Sequence, residues 1–159
     1  MRLIDLFEVS PDADAAFLGD WEREGVEGAV LYRALRDDAD FRFIAIAPTG
    51  GCYEVVHEDG QPDGADGVTL INAFEVPDGE DAAFIAGWER VTATLADQRG
   101  YLGTRLHRAA GDAEFRFVHL ARWSSPLMFA RATGRPAFLE ASAEVPYRRH
   151  PGLYSVVRG

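Results

Sequence analysis

The sequence has no lysine; its 16 basic residues are all arginine. Schiff-base chemistry and a phosphate-loop lysine are therefore excluded. Cysteine is nearly absent as well. Cys52 stands alone, so no intrachain disulfide can form, which suits a reducing compartment. Beside Gly50-Gly51 it reads as a small buried filler. No apolar run approaches the ~20 residues that span a bilayer. The first residues show neither a basic stretch nor an apolar signal core, and a cytoplasmic location is expected. No Cys/His cluster or H-x₃-H spacing suggests a metal site. GxGxxG, GxSxG and Walker patterns are missing, so no flavin or nicotinamide site is expected either.

Acidic charge is abundant. The formal net charge is −10, and such a surface repels nucleic acid and anionic membranes. With 47% hydrophobic and 26% charged residues, the 159-residue chain can fill a core in one ordinary domain or two small ones.

What the chain does have is a repeat. Residues 3–24 and 70–91 match at 12 of 22 places at an offset of 67. Phe7-Glu8-Val9 returns as Phe74-Glu75-Val76, Ala15-Ala16-Phe17 as Ala82-Ala83-Phe84, and Trp21-Glu22-Arg23 as Trp88-Glu89-Arg90. Later, Phe41-Arg42-Phe43 returns as Phe115-Arg116-Phe117, and GCYEVV (51–56) as GLYSVV (152–157). Each half reads as strand, helix, strand, strand, helix, strand. In the first half the second helix is missing, because Pro48-Thr49-Gly50 stands where residues 124–151 stand later. That order is the split βαβ, ferredoxin-like arrangement. The fold class expected is α+β, two ferredoxin-like repeats packed as an intrachain pseudo-dimer with antiparallel sheets. Residues 1–57 form the degenerate repeat, 58–67 an exposed linker, and 68–159 the complete repeat. The helix after Asp81 is expected to run to Arg99 and the last strand from Leu153 to Arg158.

Strand parity locates a candidate site. Leu70, Asn72, Phe74 and Val76 share one face of the first strand of the second repeat; Phe115, Phe117, His119, Ala121 and Trp123 share one face of its third. These are the central strands of a ferredoxin-like sheet. Asn72 and His119 then converge in an apolar space under the helices, with Trp123 at its rim. The same reading takes Phe74, Phe117, Trp88 and Phe129 as substrate-binding walls. The counterparts in the first repeat are Asp5, Ala45 and Thr49. The scaffold is kept while the polar set is changed, so one working site per chain is expected. Trp88 and Trp21 also fit a core stripe. His57 is read as a solvated linker residue, His107 as a surface strand residue and His150 as a loop residue. Arg122, Arg148 and Arg149 are read as surface charges able to gate an anionic ligand.

LINAFEVP (70–77), GYLGTRLHR (100–108), FRFVHLARW (115–123) and HPGLYSVV (150–157) together resemble the antibiotic biosynthesis monooxygenase family. The resemblance is close over 68–158 and weak over 3–56. It implies ferredoxin-like dimers or tandem fusions that oxygenate anthrone-like phenols to quinones with O₂ and without metal or flavin. It further implies functional roles for Asn72 and Trp123; the family often has Asn where His119 stands. Haem-degrading relatives carry a ligating histidine on the second helix, and 126–143 contains none. The expected catalytic set is thus Asn72, His119 and Trp123, with His119 as base at its ordinary pKa of about 6.5. The expected partner is a small aromatic molecule, with no cofactor besides O₂ as co-substrate. Further homodimerisation stays open. Two other readings are an aromatic-metabolite binding or accessory protein and a cofactor-free cyclase or isomerase.

Overall fold

Alternating apolar strands and Phe-x₃-Trp helices recur in both halves of the chain, and the two halves fold alike. The computed structural model describes residues 1–157. The first half holds β1 (Leu3–Phe7), α1 (Asp14–Glu24), β2 (Val30–Ala34), β3 (Phe43–Ala47) and β4 (Tyr53–Gly60). The second half holds β5 (Val68–Glu75), α2 (Asp81–Ala93), β6 (Tyr101–Ala109), β7 (Phe117–Trp123), α3 (Pro126–Thr133), α4 (Pro136–Ala143) and β8 (Arg148–Val156). The fold is ferredoxin-like, α+β, with every strand pair antiparallel.

The two sheets pack inner face to inner face and also join at their edges. One eight-stranded sheet results, in the order β1-β3-β2-β8-β5-β7-β6-β4. It curls until β1 and β4 meet through a paired backbone bridge between Arg2 and Tyr53. The last strand of each repeat thereby pairs with the other repeat, β4 with β6 and β8 with β2, while β8 keeps its longer ladder with β5 of its own repeat. Period-two alternation sorts the residues. Ile4, Tyr32, Ile44 and Ile46 meet Ile71, Ala73, Val118 and Leu120 inside the curl. The helices cover the outer face. Two tyrosines lock the exchange: Tyr53 O–H donates to Phe115 O and Tyr154 O–H to Phe41 O, each at 2.7 Å.

Several sequence expectations are corrected. β4 continues to Gly60, so the expected linker begins three residues late. The rest of it is exposed as expected apart from Pro62, but it is tethered: Arg105, its side chain only 2% exposed, binds Asp63 (2.7 and 2.8 Å) and Glu58 (2.7 Å), and Arg122 Nε donates to Gln61 O at 3.0 Å. Two buried guanidiniums thus hold the connection against one end of the curl; Gly and Asp content alone did not reveal those partners. Arg122 is accordingly buried. His107 is also buried, on the inner face. It donates from Nδ1 to Val118 O at 3.0 Å, and burial pushes its pKa down to about 4. Helix α2 stops at Ala93, where Thr92 and Thr94 hydroxyls bond back to preceding carbonyls and a turn follows. β8 starts five residues earlier than expected because Arg148–Gly152 pair along β5; Arg158 lies outside the described residues. His150 sits in this strand. Cys52 is exposed.

Candidate functional site

The second repeat has a roof that the first lacks. Ser125 caps α3, its Oγ accepting from Met128 N–H at 3.2 Å, and Pro126 starts the helix. Gly134 ends α3, and Pro136 starts α4 at a new angle. The two short helices bend over the outer face of β5 and β7. Beneath them lies a cavity of about 530 Å³, the size of a small-ligand pocket. Leu70, Asn72, Phe74 and His119 form its floor, and Phe84, Trp88 and Val91 of α2 one wall. Phe129 and Thr133 of α3 and Phe138 and Ser142 of α4 form the roof. Arg149 and Pro151 of β8 close one side.

The polar groups are few and unusual. Asn72 faces His119 directly across the β5–β7 ladder. The Asn72 amide makes no hydrogen bond among the described residues, and its Oδ1 is sealed from solvent. A buried amide without a partner is costly, so this one is placed for a ligand rather than for stability. His119 Nε2–H donates to Thr104 Oγ1 at 2.6 Å, since the hydroxyl's single hydrogen goes to Leu120 O at 3.0 Å. The Nδ1 lone pair is thereby left for the cavity. Burial pushes His119 down to about 3, with His107 and His57 adding to the effect. At neutral pH it is an uncharged acceptor. The ordinary histidine pKa assumed from sequence does not apply, because sequence does not show how deeply the ring is buried. Trp88 stands edge-on between His119 (5.3 Å) and His57 (5.0 Å); His57 is exposed, as expected, but lies in β4 and not in the linker. The indole N–H of Trp88 is buried without a partner among the described residues.

Asn72, His119, Phe74, Trp88 and Phe129 line the cavity together. Phe117 and Trp123 do not. Phe84 stacks on Phe117 at 4.3 Å and covers it. Trp123 is fully buried behind Phe129, between that ring and Tyr101, with its Nε1 unpartnered. Parity puts both side chains on the correct face, but the neighbouring rings separate them from the space. Thr104, Phe138 and Ser142 were not foreseen as site residues, and Arg149 only as a surface charge able to gate an anionic ligand. Thr104 alternates with the core residue Leu106 on β6, which was a usable signal; Arg149 needed the β8 register. Among the described residues, no group of three or more His, Cys, Asp or Glu side chains is placed to hold a metal ion. No helix there is long and apolar enough to cross a membrane.

Known proteins bear on this geometry. No curated protein matches the chain in sequence. The cofactor-independent oxygenase SnoaB from Streptomyces nogalater is 30% identical over 60% of this chain and 97% of its own, with a TM-score of 0.53. An anthrone oxidase-like protein superimposes over 99% of this chain and 90% of its own at TM-score 0.75 and 14% identity. The heme-degrading enzyme LmHde from Listeria monocytogenes does so over 97% of both chains at TM-score 0.63 and 17% identity. The last two show the fold alone. The sequence model described as antibiotic biosynthesis monooxygenase matches residues 67–144, the stretch that builds most of the cavity. By this match and the identity to SnoaB across nearly all of that protein, the chain belongs to the antibiotic biosynthesis monooxygenase family.

Proposed function

We propose that the protein is a cofactor-independent monooxygenase that oxidises an aromatic phenol or anthrone with O₂ in the cavity of its second repeat. The observation that carries this reading is the unpartnered Asn72 amide facing a neutral His119 in an otherwise apolar enclosure. The enol hydroxyl of the anthrone, whose hydrogen comes from the ring methylene, donates to His119 Nδ1. As its proton leaves, the developing oxyanion is held by the Asn72 amide. An imidazolium beside that oxyanion is stabilised by their mutual attraction in a dry site, which offsets the burial that otherwise keeps His119 neutral. The electron-rich carbanion reduces O₂ directly. One oxygen atom becomes the new carbonyl, and the other leaves as water with the two ring-methylene hydrogens. Phe74, Phe84, Trp88, Phe129 and Phe138 supply flat apolar contact and exclude water. Trp123 shapes the cavity from behind Phe129. Haem does not fit as well: α3 and α4 carry no histidine, and His119 Nε2 is already bonded to Thr104.

The test is oxygen uptake by purified, metal-free protein with dithranol, a reduced anthrone, together with product mass. Uptake above autoxidation, one O₂ per anthrone and a quinone product are expected. Saturable tryptophan quenching with no uptake would overturn the oxygenase reading in favour of a binding protein. A product with the substrate's own mass would favour an isomerase or cyclase.

A further inference from the structure

Arg149 is a cation without an anion. Four other part-buried guanidiniums have carboxylates: Arg42 has Asp14, Arg105 has Asp63 and Glu58, Arg108 has Glu54, and Arg116 has Asp81; buried Arg122 donates to the Gln61 and Asp66 carbonyls, away from the cavity. Arg149 is half-buried and makes no ion pair among the described residues. It donates from Nη2 to Val145 O (2.7 Å) and Ser142 O (3.2 Å), and from Nη1 to Ser142 Oγ (3.2 Å). These bonds tie the end of α4 to β8 and fix the guanidinium against the face of Phe74, 5.9 Å from the ring centre. Among the described residues, Nε–H and one Nη1 hydrogen have no acceptor. Burial alone pulls its pKa below the usual arginine range, which still leaves it charged.

This fixed charge lines the cavity, and no Asp or Glu does. In a chain of net charge −10, that is a local inversion of sign. Its position is defined by register. Arg149 pairs with Phe74 in β5, two residues along from Asn72, which pairs with Pro151. The two polar rows of the floor are therefore about 7 Å apart along the strand. A flat molecule lying on Phe74 spans both.

We infer that Arg149 is a specificity-determining residue: the cavity takes aromatic substrates bearing a carboxylate, read by the charge and the free Nε–H of Arg149 while the reacting phenol oxygen lies at Asn72 and His119. The inference rests on the reading of this cavity as the substrate site and deepens it by naming the substrate class. Arginine suits the role because it stays charged when half-buried, and a charge-assisted hydrogen bond to a carboxylate is about twice as strong as a neutral one.

The test uses two probes of matched shape, a 1,8-dihydroxyanthraquinone carrying a 3-carboxylate and one carrying a 3-hydroxymethyl group. Binding to the intact protein is followed by tryptophan quenching, since Trp88 lines the cavity. The carboxylate is expected to bind about tenfold to a hundredfold more tightly, the range of a hydrogen bond to a charged group. Arg149→Met keeps an apolar stem on Phe74 and should abolish the preference; Arg149→Lys should keep part of it. Equal affinity of wild-type protein for the two probes overturns the inference without any variant, as does failure of both to bind or a preference that survives Arg149→Met. The oxygenase reading fails separately. Preferred binding of the carboxylate with no oxygen uptake from the corresponding anthrone acid sinks the oxygenase and leaves Arg149's role standing. Equal uptake and KM for acidic and neutral anthrones do the reverse.

Discussion

In the first repeat Arg42 clamps Asp14 at 2.6 Å and Phe17 stacks on Phe43 at 4.3 Å. In the second, Arg116 clamps Asp81 at 2.7 Å and Phe84 stacks on Phe117 at 4.3 Å. The joint between helix and sheet has been kept contact for contact. The row beside it has not. Asp5 faces Ala45 where Asn72 faces His119. Five residues, 48–52, join β3 to β4, whereas α3 and α4 intervene between β7 and β8. Without that roof α1 buries none of its residues, and Asp5 stays half-exposed; beneath it α2 buries Phe84, Gly87 and Trp88. The difference teaches that the roof makes the site. Only under it do an amide and an imidazole lose water and become available to a ligand. The first repeat serves as the other half of the curled sheet, closing edges that would otherwise be open.

The comparison can be broken most forcefully at the stacked phenylalanines. Phe84→Ala should cost about 3–5 kcal/mol of stability, because the ring is fully buried. Phe17→Ala should cost visibly less, since its ring is only partly covered; urea unfolding of both variants checks this, and equal losses would contradict the roof argument. Next comes the polar row. Asn72→Ala should lower kcat for an anthrone by about 10²–10³, the effect of losing one oxyanion donor, with the melting temperature kept. Asp5→Ala should leave the rate unchanged, and a comparable loss there would place a site in the first repeat. The locking tyrosines should sharpen the pseudo-symmetry. Tyr53→Phe and Tyr154→Phe each strand one buried carbonyl and should each cost about 1–2 kcal/mol.

The smallest effect belongs to the bond between halves at His150, which joins Asp40 of the first repeat at 2.6 Å and Glu75 of the second at 3.0 Å. Burial lowers its pKa, but the hydrogen bonds to Glu75 and Asp40 and their charges outweigh this, so the net shift is upward. A raised folded pKa stabilises the fold fully below the unfolded value of 6.5, and the gain is lost as pH rises through the folded pKa. Thermal unfolding of wild type against His150→Gln from pH 5 to 9 should show a difference that shrinks with rising pH. The size expected is about 1 kcal/mol or less, that of a partly exposed pair. A constant difference would mean that His150 acts by packing alone.

Much of this architecture was legible without coordinates. The offset of 67 and the Phe-x-Phe pair gave away two copies of one unit, because the periods of strand and helix are written in the spacing of apolar residues. Parity placed Asn72 and His119 on one face, and the missing stretch between Pro48 and Tyr53 announced a single roofed site. Local pattern has no reach beyond the element it describes, and the errors follow from that. Gly and Asp in 61–67 did mark an exposed connection, yet nothing in them showed that Arg105 and Arg122, some forty to sixty residues away, tether it. Trp123 and Phe117 point the correct way but stand behind Phe129 and Phe84. His119 was read at an ordinary histidine pKa, and its depth pushes that pKa down to about 3. Sequence by itself determined the elements, the duplication and the face that carries the polar pair, since those depend on neighbours along the chain. Tertiary structure alone decided the edge-to-edge closure, which rings reach the cavity, how far burial shifts a pKa and which guanidinium lacks an acid. Each of those is set by distances between residues far apart in sequence, and by how much water those distances leave.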